Sequence, residues 1–367
     1  IGSVSLGHCH PALVAAVQEQ AGRLWQVGNY YYVENRNELA RDLSDILSAT
    51  TDEAGHITGS TGETWKTFFA NSGAEANEGA IKLARRWGER TLGGATGIIT
   101  AKKSFHGRTL ATLSATGQEA FHQSFLPLPA GFEAVPLNDL AALEEAVAHP
   151  SDQCGPVCAV MLECVQGEGG VWPVTKEYLQ GVSRLCHERG LVLVVDEVQA
   201  GIFRCGAPFA YQLFDVVPDI VSMAKGIGGG FPMGAFAARD EVAALFGPGD
   251  HGSTFGGNAL ASAVGRAVIE TLVGEHVGGH VIATGAHLAQ ALATLPHVSE
   301  VRGRGLMRAA QFDAPIATEL VEQGLSAGLV LNHIGDSILR FLPPLVVTDE
   351  QVDAMASRLR GLIEGLA

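Results

Sequence analysis

The feature that most narrows the fold is a set of short, unbroken apolar runs, each closed by turn residues. Leu191-Val-Leu-Val-Val195 is the clearest; Val157 to Leu162, Gly97 to Thr100, Ile220 to Ala224 and Ala235 to Ala238 read the same way. None alternates apolar with polar, so both faces of these strands must be covered, as in a parallel sheet flanked by helices. Helical patterns stand between the runs. Pro11 to Gln26 has Pro in its first turn. Glu38 to Leu47 sets Leu39, Leu43, Ile46 and Leu47 on one side. A short buried strand at Thr67 to Ala70 leads into a helix expected from about Ala74 to Trp87. This alternation predicts an α/β fold with a mainly parallel sheet. Thr50 to Thr64, polar and Gly-rich, is expected to be an exposed loop. At Ala259 a long helical stretch begins and the pattern changes. The expected division is a large domain over residues 27–258 and a smaller α+β domain made of 1–26 and 259–367.

A chain of 367 residues, 47% of them hydrophobic, can bury a core of that size. Its net charge of −15 argues against generic nucleic-acid or anionic-membrane partners. No apolar run approaches the roughly 20 residues of a membrane-spanning helix, and no basic-apolar-small signal opens the chain. The six cysteines are scattered, with spacing that suits neither a zinc knuckle nor a disulfide scaffold. They read as small apolar fillers in a reducing, cytoplasmic setting. His8-Cys9-His10 lies in a turn-like stretch, and no metal site is expected there.

Six places can carry chemistry. Asp196 directly follows a buried strand, at the sheet edge where open α/β folds bind ligands; there it can hold a cationic ring nitrogen or a metal, or simply cap a helix. Lys225 is delivered by Ile220 to Ala224 into a glycine-rich turn. Apolar surroundings and nearby cations can lower a lysine's pKa and free its amine for covalent chemistry. The alternative is a surface lysine at a strand end. In Asn71-Ser-Gly-Ala-Glu-Ala-Asn77 a strand gives way to a helix whose free N–H groups suit an anion; an ordinary Ser cap fits equally well. Phe105 and Arg108, in Ser104-Phe-His-Gly-Arg-Thr109, offer a ring to stack on a flat cofactor and a fork for a carboxylate. Taken alone, they read as a core ring and a solvated charge. His251 to Asn258 is a glycine-rich loop with hydroxyls for a phosphate, or a plain flexible loop. Arg340, between apolar neighbours, needs a carboxylate partner if buried.

Order and combination decide what single motifs do not. From Leu6-Gly-His-Cys-His-Pro11 to Leu339-Arg-Phe-Leu-Pro-Pro344 the chain resembles class III aminotransferases, which are fold-type-I pyridoxal-phosphate enzymes. Asn71 to Glu78, Asp196-Glu-Val-Gln199, Ala224-Lys-Gly226 and Gly252-Ser-Thr-Phe-Gly-Gly-Asn258 carry the likeness most specifically. The resemblance implies a large domain with a mainly parallel sheet plus a smaller domain, and pyridoxal 5'-phosphate as cofactor. It makes Lys225 the Schiff-base lysine and proton carrier, and Asp196 the partner of the pyridine nitrogen. The cofactor-binding set becomes Gly73, Ala74, Phe105, Asp196, Glu197, Val198, Gln199, Lys225 and Thr254. Thr254 would come from a neighbouring subunit, so a homodimer with shared sites is implied. Arg108, Ser253, Glu168 and Arg340 form the implied substrate set, with Glu168 switching onto Arg340 when no α-carboxylate occupies it. The Arg108/Ser253 pair and the Gly228-Gly-Gly-Phe-Pro232 turn tilt the expected activity towards N2-acetyl-L-ornithine with 2-oxoglutarate, in arginine biosynthesis. Ornithine, 4-aminobutyrate and succinylated donors are the alternatives, then an aminomutase of glutamate 1-semialdehyde or a non-catalytic relative.

The chain departs from the family pattern in three places. It opens on Ile1, without the residues that usually precede Gly-His-x-His-Pro, so its N-terminal segment is expected to be incomplete. Cys164 stands where Pro is common. Ile202-Phe203-Arg204-Cys205-Gly206 differs from the usual Gly-Arg-Thr-Gly. Two rival motifs fail. Gly226 to Phe231 lacks the last glycine of a dinucleotide fingerprint. Gly324-Leu-Ser-Ala-Gly328 has a helical pattern before its Ser, where a nucleophile elbow needs a strand.

Overall fold

The computed structural model describes residues 1–366; Ala367, the last residue of the expected small domain, lies outside the described residues. Seven strands form the central sheet: β1 (Trp65–Ala70), β2 (Gly97–Ala101), β3 (Phe132–Val135), β4 (Val157–Leu162), β5 (Val192–Asp196), β6 (Ile220–Ala224) and β7 (Gly234–Arg239). Their order is β1-β7-β6-β5-β4-β2-β3. β3, β2, β4, β5 and β6 pair in parallel, while β7 runs antiparallel to both β6 and β1. The expected mainly parallel α/β sheet is therefore present, with β7 as its one reversed strand.

The unbroken apolar runs are explained by what covers them. After helices α1 (Pro11–Ala21) and α2 (Glu34–Leu47) comes α3 (Gly73–Thr91); in β5, Val192 and Val194 join the core under it, with Ala80, Ile81 and Ala84. The alternate residues Leu193 and Val195 join the opposite core, with Leu179 and Val182 of α4 (Lys176–Arg189). With period two and a helix on each face, both sets must be apolar. A smaller antiparallel sheet follows, made of β8 (Val298–Arg304), β9 (Met307–Phe312), β10 (Asn332–Ile334) and β11 (Ile338–Phe341), in the order β8-β9-β11-β10. Gly324-Leu-Ser-Ala-Gly328 begins inside the helix Ala317–Ser326, as its rejection required.

Three local expectations change. The first helix is Pro11–Ala21 and stops at Gly22, short of Gln26; glycine is a poor helix former. The second starts at Glu34, not Glu38. The expected loop at Thr50 to Thr64 holds a hairpin, Ala49–Thr51 paired with Ile57–Ser60. Asp52 organises its turn by accepting the N–H groups of Ala54 (3.0 Å) and His56 (2.9 Å), while Gly55 takes a φ of 85°. Ile57 to Ser60 are all exposed, so no hydrophobic period announced the strand.

β1, β5 and β6 end at one edge of the sheet, and the turns after them bring distant residues together. The close fit of α3 to the sheet makes this possible. A Cβ on Gly79 would sit inside the Phe236 ring. Gly79→Ala is therefore expected to lower stability by about 1–3 kcal/mol, the usual cost of overpacking, read as a lower urea midpoint. An unchanged midpoint would contradict this packing.

Candidate active site

β5 ends on Asp196, which is only 3% exposed. Its Oδ2 accepts N–H groups from Asn77 Nδ2 (2.8 Å) and His106 Nδ1 (2.8 Å). Its Oδ1 accepts the backbone N–H of Val198 (3.0 Å). Asn77 belongs to the second turn of α3, and its Nδ2 also donates to the His106 carbonyl (2.7 Å). Burial alone would push the His106 imidazole down, but its hydrogen bond to Asp196, that group's charge and the nearby Glu163 outweigh it, so its pKa is raised. Behind them lies Glu163, which follows β4 and accepts the backbone N–H groups of Phe105 (3.0 Å) and Gly167 (3.2 Å). Burial raises its carboxyl pKa.

Lys225 follows β6 with a φ of 47°, a left-handed conformation that costs a non-glycine residue energy and tends to mark functional positions. Burial lowers its pKa, against the opposing charges of Asp196, Glu168 and Glu163. Across the cleft, the Ser72 side chain caps α3 by accepting the Glu75 N–H (3.2 Å). That leaves the first N–H groups of the helix, on Gly73 and Ala74, for an anion. A Cβ on Gly73 would lie 2.7 Å from Val198 Cγ1, so only glycine allows this approach of α3 to the turn after β5.

The cleft encloses about 410 Å³; Gly73, Ala74, Phe105, Arg108, Asp196, Val198, Gln199 and Lys225 all line it. Phe105 is half-buried. The Arg108 guanidinium is exposed and lies 4.3 Å over the Phe121 ring and 5.4 Å from that of Phe105. At the other end Arg340 of β11 is buried. Its Nη1 donates to Glu168 Oε1 (2.7 Å) and to Gln199 Oε1 (3.3 Å), and its Nε to Asn332 Oδ1 (2.8 Å). Gln199 Nε2 donates to the same Glu168 oxygen (3.2 Å). Burial would raise the Glu168 carboxyl, but the Arg340 hydrogen bond and charge, with Gln199 and Lys225, hold it below its usual value.

Three expected residues stand apart. The Glu197 side chain turns away from the cleft and accepts the Tyr211 N–H (2.9 Å) within the core. Cys164 and Cys205, each part of a departure from the family pattern, lie beside that carboxylate, and burial pushes both thiols up. Ser253 Oγ reaches the rim through Asn71 Nδ2 (3.3 Å). Thr254 is exposed and does not line the cleft. Sequence reasoning missed Asn77, His106, Glu163 and Phe121. The first two sit inside motifs already singled out, Asn77 in the second turn of α3 and His106 in the loop after β2, but nothing in the sequence set them apart from their neighbours. Glu163, just before Cys164, had the same signal as Asp196: a carboxylate directly after a buried strand.

The profile of the family Aminotransferase class-III matches residues 1–363. The chain is a class III aminotransferase. Among curated relatives, this aminotransferase is 49% identical over 354 residues to the acetylornithine aminotransferase of Caldanaerobacter subterraneus subsp. tengcongensis, covering 95% of this chain and 84% of that protein. It is 45% identical to acetylornithine aminotransferase 1 of Bordetella pertussis, covering 99% and 88%. Among solved structures, the N-acetylornithine aminotransferase of Stenotrophomonas maltophilia superposes with a TM-score of 0.81 at 36% identity, over 100% of this chain and 89% of that one. The ornithine aminotransferase of Toxoplasma gondii superposes with a TM-score of 0.89 at 30% identity, over 100% and 85%.

Class III aminotransferases depend on pyridoxal phosphate, and this aminotransferase has the donor set for it. A fixed carboxylate, an amine of lowered pKa, an aromatic wall and a helix start with open N–H groups line one cleft. Each answers one part of the cofactor: a ring nitrogen, an aldehyde, a flat ring and a phosphate.

Glu197 gives a measurable pH signature. Burial raises its carboxyl from the ordinary 4.5 to about 7. Between those values the folded protein keeps a proton that the unfolded chain loses. Its contribution to stability is therefore full below about pH 4.5 and is lost as pH rises through about 7. Glu197→Gln should flatten the fall of Tm across that window, leaving the part due to Glu163. Parallel wild-type and variant profiles would show that Glu197 titrates normally.

Proposed function

We propose that this aminotransferase takes the δ-amino group of N2-acetyl-L-ornithine and passes it to 2-oxoglutarate. The products are N-acetyl-L-glutamate 5-semialdehyde and L-glutamate, in arginine biosynthesis. The observation that carries the reading is the contrast between two arginines on one cleft. Arg108 is open, whereas Arg340 is closed onto Glu168. An ω-amine donor with its carboxylate at the far end can be gripped by Arg108 while Arg340 stays paired. An α-amino acid such as glutamate needs a second clamp, available once Glu168 gives Arg340 up. The acetylornithine aminotransferases among the relatives support this donor. The solved ornithine aminotransferases keep unacylated ornithine as a second reading.

In this account pyridoxal 5'-phosphate, when bound, supplies the electron sink for the carbanion left by deprotonation. The residues do the rest. Asp196, steadied by Asn77 and His106, would hold a proton on the ring nitrogen. Phe105 would cover the ring and Gln199 would serve its phenolic oxygen. Gly73 and Ala74 would offer N–H groups to the phosphate. Lys225 Nζ would hold the cofactor and carry the proton from the amine-bearing carbon of the substrate. Thr254, exposed on its own protomer, would complete the phosphate site of a second copy, which makes the working unit a homodimer with shared sites. Residues 27–258 would form its cofactor-binding domain, with 1–26 and 259–367 as the smaller domain. All six cysteines are unpaired, which suits a cytoplasmic enzyme.

Half-reactions test this directly. Holoenzyme mixed with one amine and no keto acid should lose its visible cofactor band fastest with N-acetylornithine, and much more slowly with ornithine or 4-aminobutyrate. Faster loss with either of those would reassign the donor. Arg340→Ala should slow the glutamate half-reaction roughly 10–100-fold, the worth of one charge-assisted clamp, and spare the acetylornithine half. Arg108→Ala should slow both. Equal effects of the two variants would contradict the two-clamp account.

A further inference from the structure

A second cavity, of about 830 Å³, opens between the large body and the four-stranded sheet, and shares no lining residue with the active-site cleft. The tight turn between β8 and β9 places Arg304 and Arg308 on its wall. Neither guanidinium has a carboxylate within ion-pair distance among the described residues. Arg304 lies 4.7 Å over the Phe214 ring. Arg308 donates its Nε to the Gly305 carbonyl (2.9 Å) and its Nη1 to the Gly303 carbonyl (2.8 Å), and so is held in place by its own hairpin.

The other charges on the wall are largely committed. Lys176 and Asp215 pair with each other. Asp52 is occupied by the turn of its hairpin and by His56 (3.2 Å). Glu53 is exposed and is the one acid left over on the wall. Two like charges therefore face one cavity, in a chain whose net charge is −15. Burial pushes the Arg308 pKa down, and the charge of Arg304 adds to it; the opposing influence is Cys205, not a carboxylate. A partly buried guanidinium without a counter-ion is costly, and an anion relieves that cost.

We infer that this cavity binds a small dianion, with Arg304 and Arg308 gripping its charged oxygens. Planar guanidinium forks match the paired oxygens of phosphates and carboxylates alike. The site is placed to matter. Leu306, inside the same turn, exchanges hydrogen bonds with Arg204, which follows the Asp196–Gln199 segment (3.1 and 3.0 Å). On β9, Ala309 lies opposite Arg340 in register. A dianion here would brace the sheet that carries Arg340 against the body that carries Asp196.

The test is calorimetry on the holoenzyme, whose own phosphate cradle is filled by its cofactor. Inorganic phosphate and malonate are titrated separately at constant ionic strength, into wild type, Arg304→Gln and Arg308→Gln. Saturable binding of at least one probe is expected, weakened about tenfold or more by each substitution. Phosphate binding alone points to a phosphorylated ligand, malonate binding alone to a dicarboxylate. Should Arg308→Gln fail to fold, Arg304→Gln decides, because the Arg304 guanidinium makes no hydrogen bond among the described residues. No saturable binding of either probe, or binding unaffected by the substitutions, overturns the inference. Neither readout depends on which amine the enzyme uses.

Discussion

The structure turns on a buried carboxylate that cannot be moved. Asp196 is 3% exposed, and a charge in such a place costs several kcal/mol unless hydrogen bonds replace its water. It has three, from Asn77, His106 and Val198. Their donors come from α3, from the segment after β2 and from the strand's own continuation. Satisfying one carboxylate therefore fixes three pieces of chain remote in sequence. Glu163 adds an outer layer by holding the backbone at Phe105 and Gly167, between which the aromatic wall and the Glu168 segment hang.

The second constraint is the Arg340–Glu168 pair. A buried ion pair is weak evidence of stability, since desolvation offsets much of its attraction, but an unpaired partner is expensive. The pair is then best read as a device with two settings. On the proposed reading, Glu168 holds Arg340 until a substrate carboxylate replaces it. Gln199, bonded to both, ties the setting to the strand end that bears Asp196. Arg108, set against Phe121 at the open end, has no such partner and keeps one grip constant. On the proposed reading, this asymmetry lets one cleft serve an ω-amine and an α-amino acid in turn.

Much of this was legible in the residues. Strands buried on both faces have little choice but unbroken apolar runs, so β2, β4, β5 and β6 could be read within a residue or two. Asp196 and Lys225 could be read because each ends such a run. The hairpin at Ala49 to Ser60 could not, because its second strand is exposed throughout and its turn depends on one aspartate side chain. Nor could Asn77 and His106, whose importance lies in reaching the same oxygen from opposite sides. Glu197 shows the limit of motif reading. It adjoins Asp196 in the chain, but successive residues after a strand point different ways, and its carboxylate enters the core.

The most direct test of the central place given to Asp196 is the nitrogen-15 chemical shift of ring-labelled pyridoxal phosphate in the holoenzyme. A carboxylate held this firmly beside the ring should keep the pyridine nitrogen protonated at neutral and mildly alkaline pH, with that signal lost in Asp196→Asn. A shift typical of unprotonated pyridine in the wild-type enzyme would mean that the buried carboxylate does not serve the ring, and the account of the cleft would fail with it.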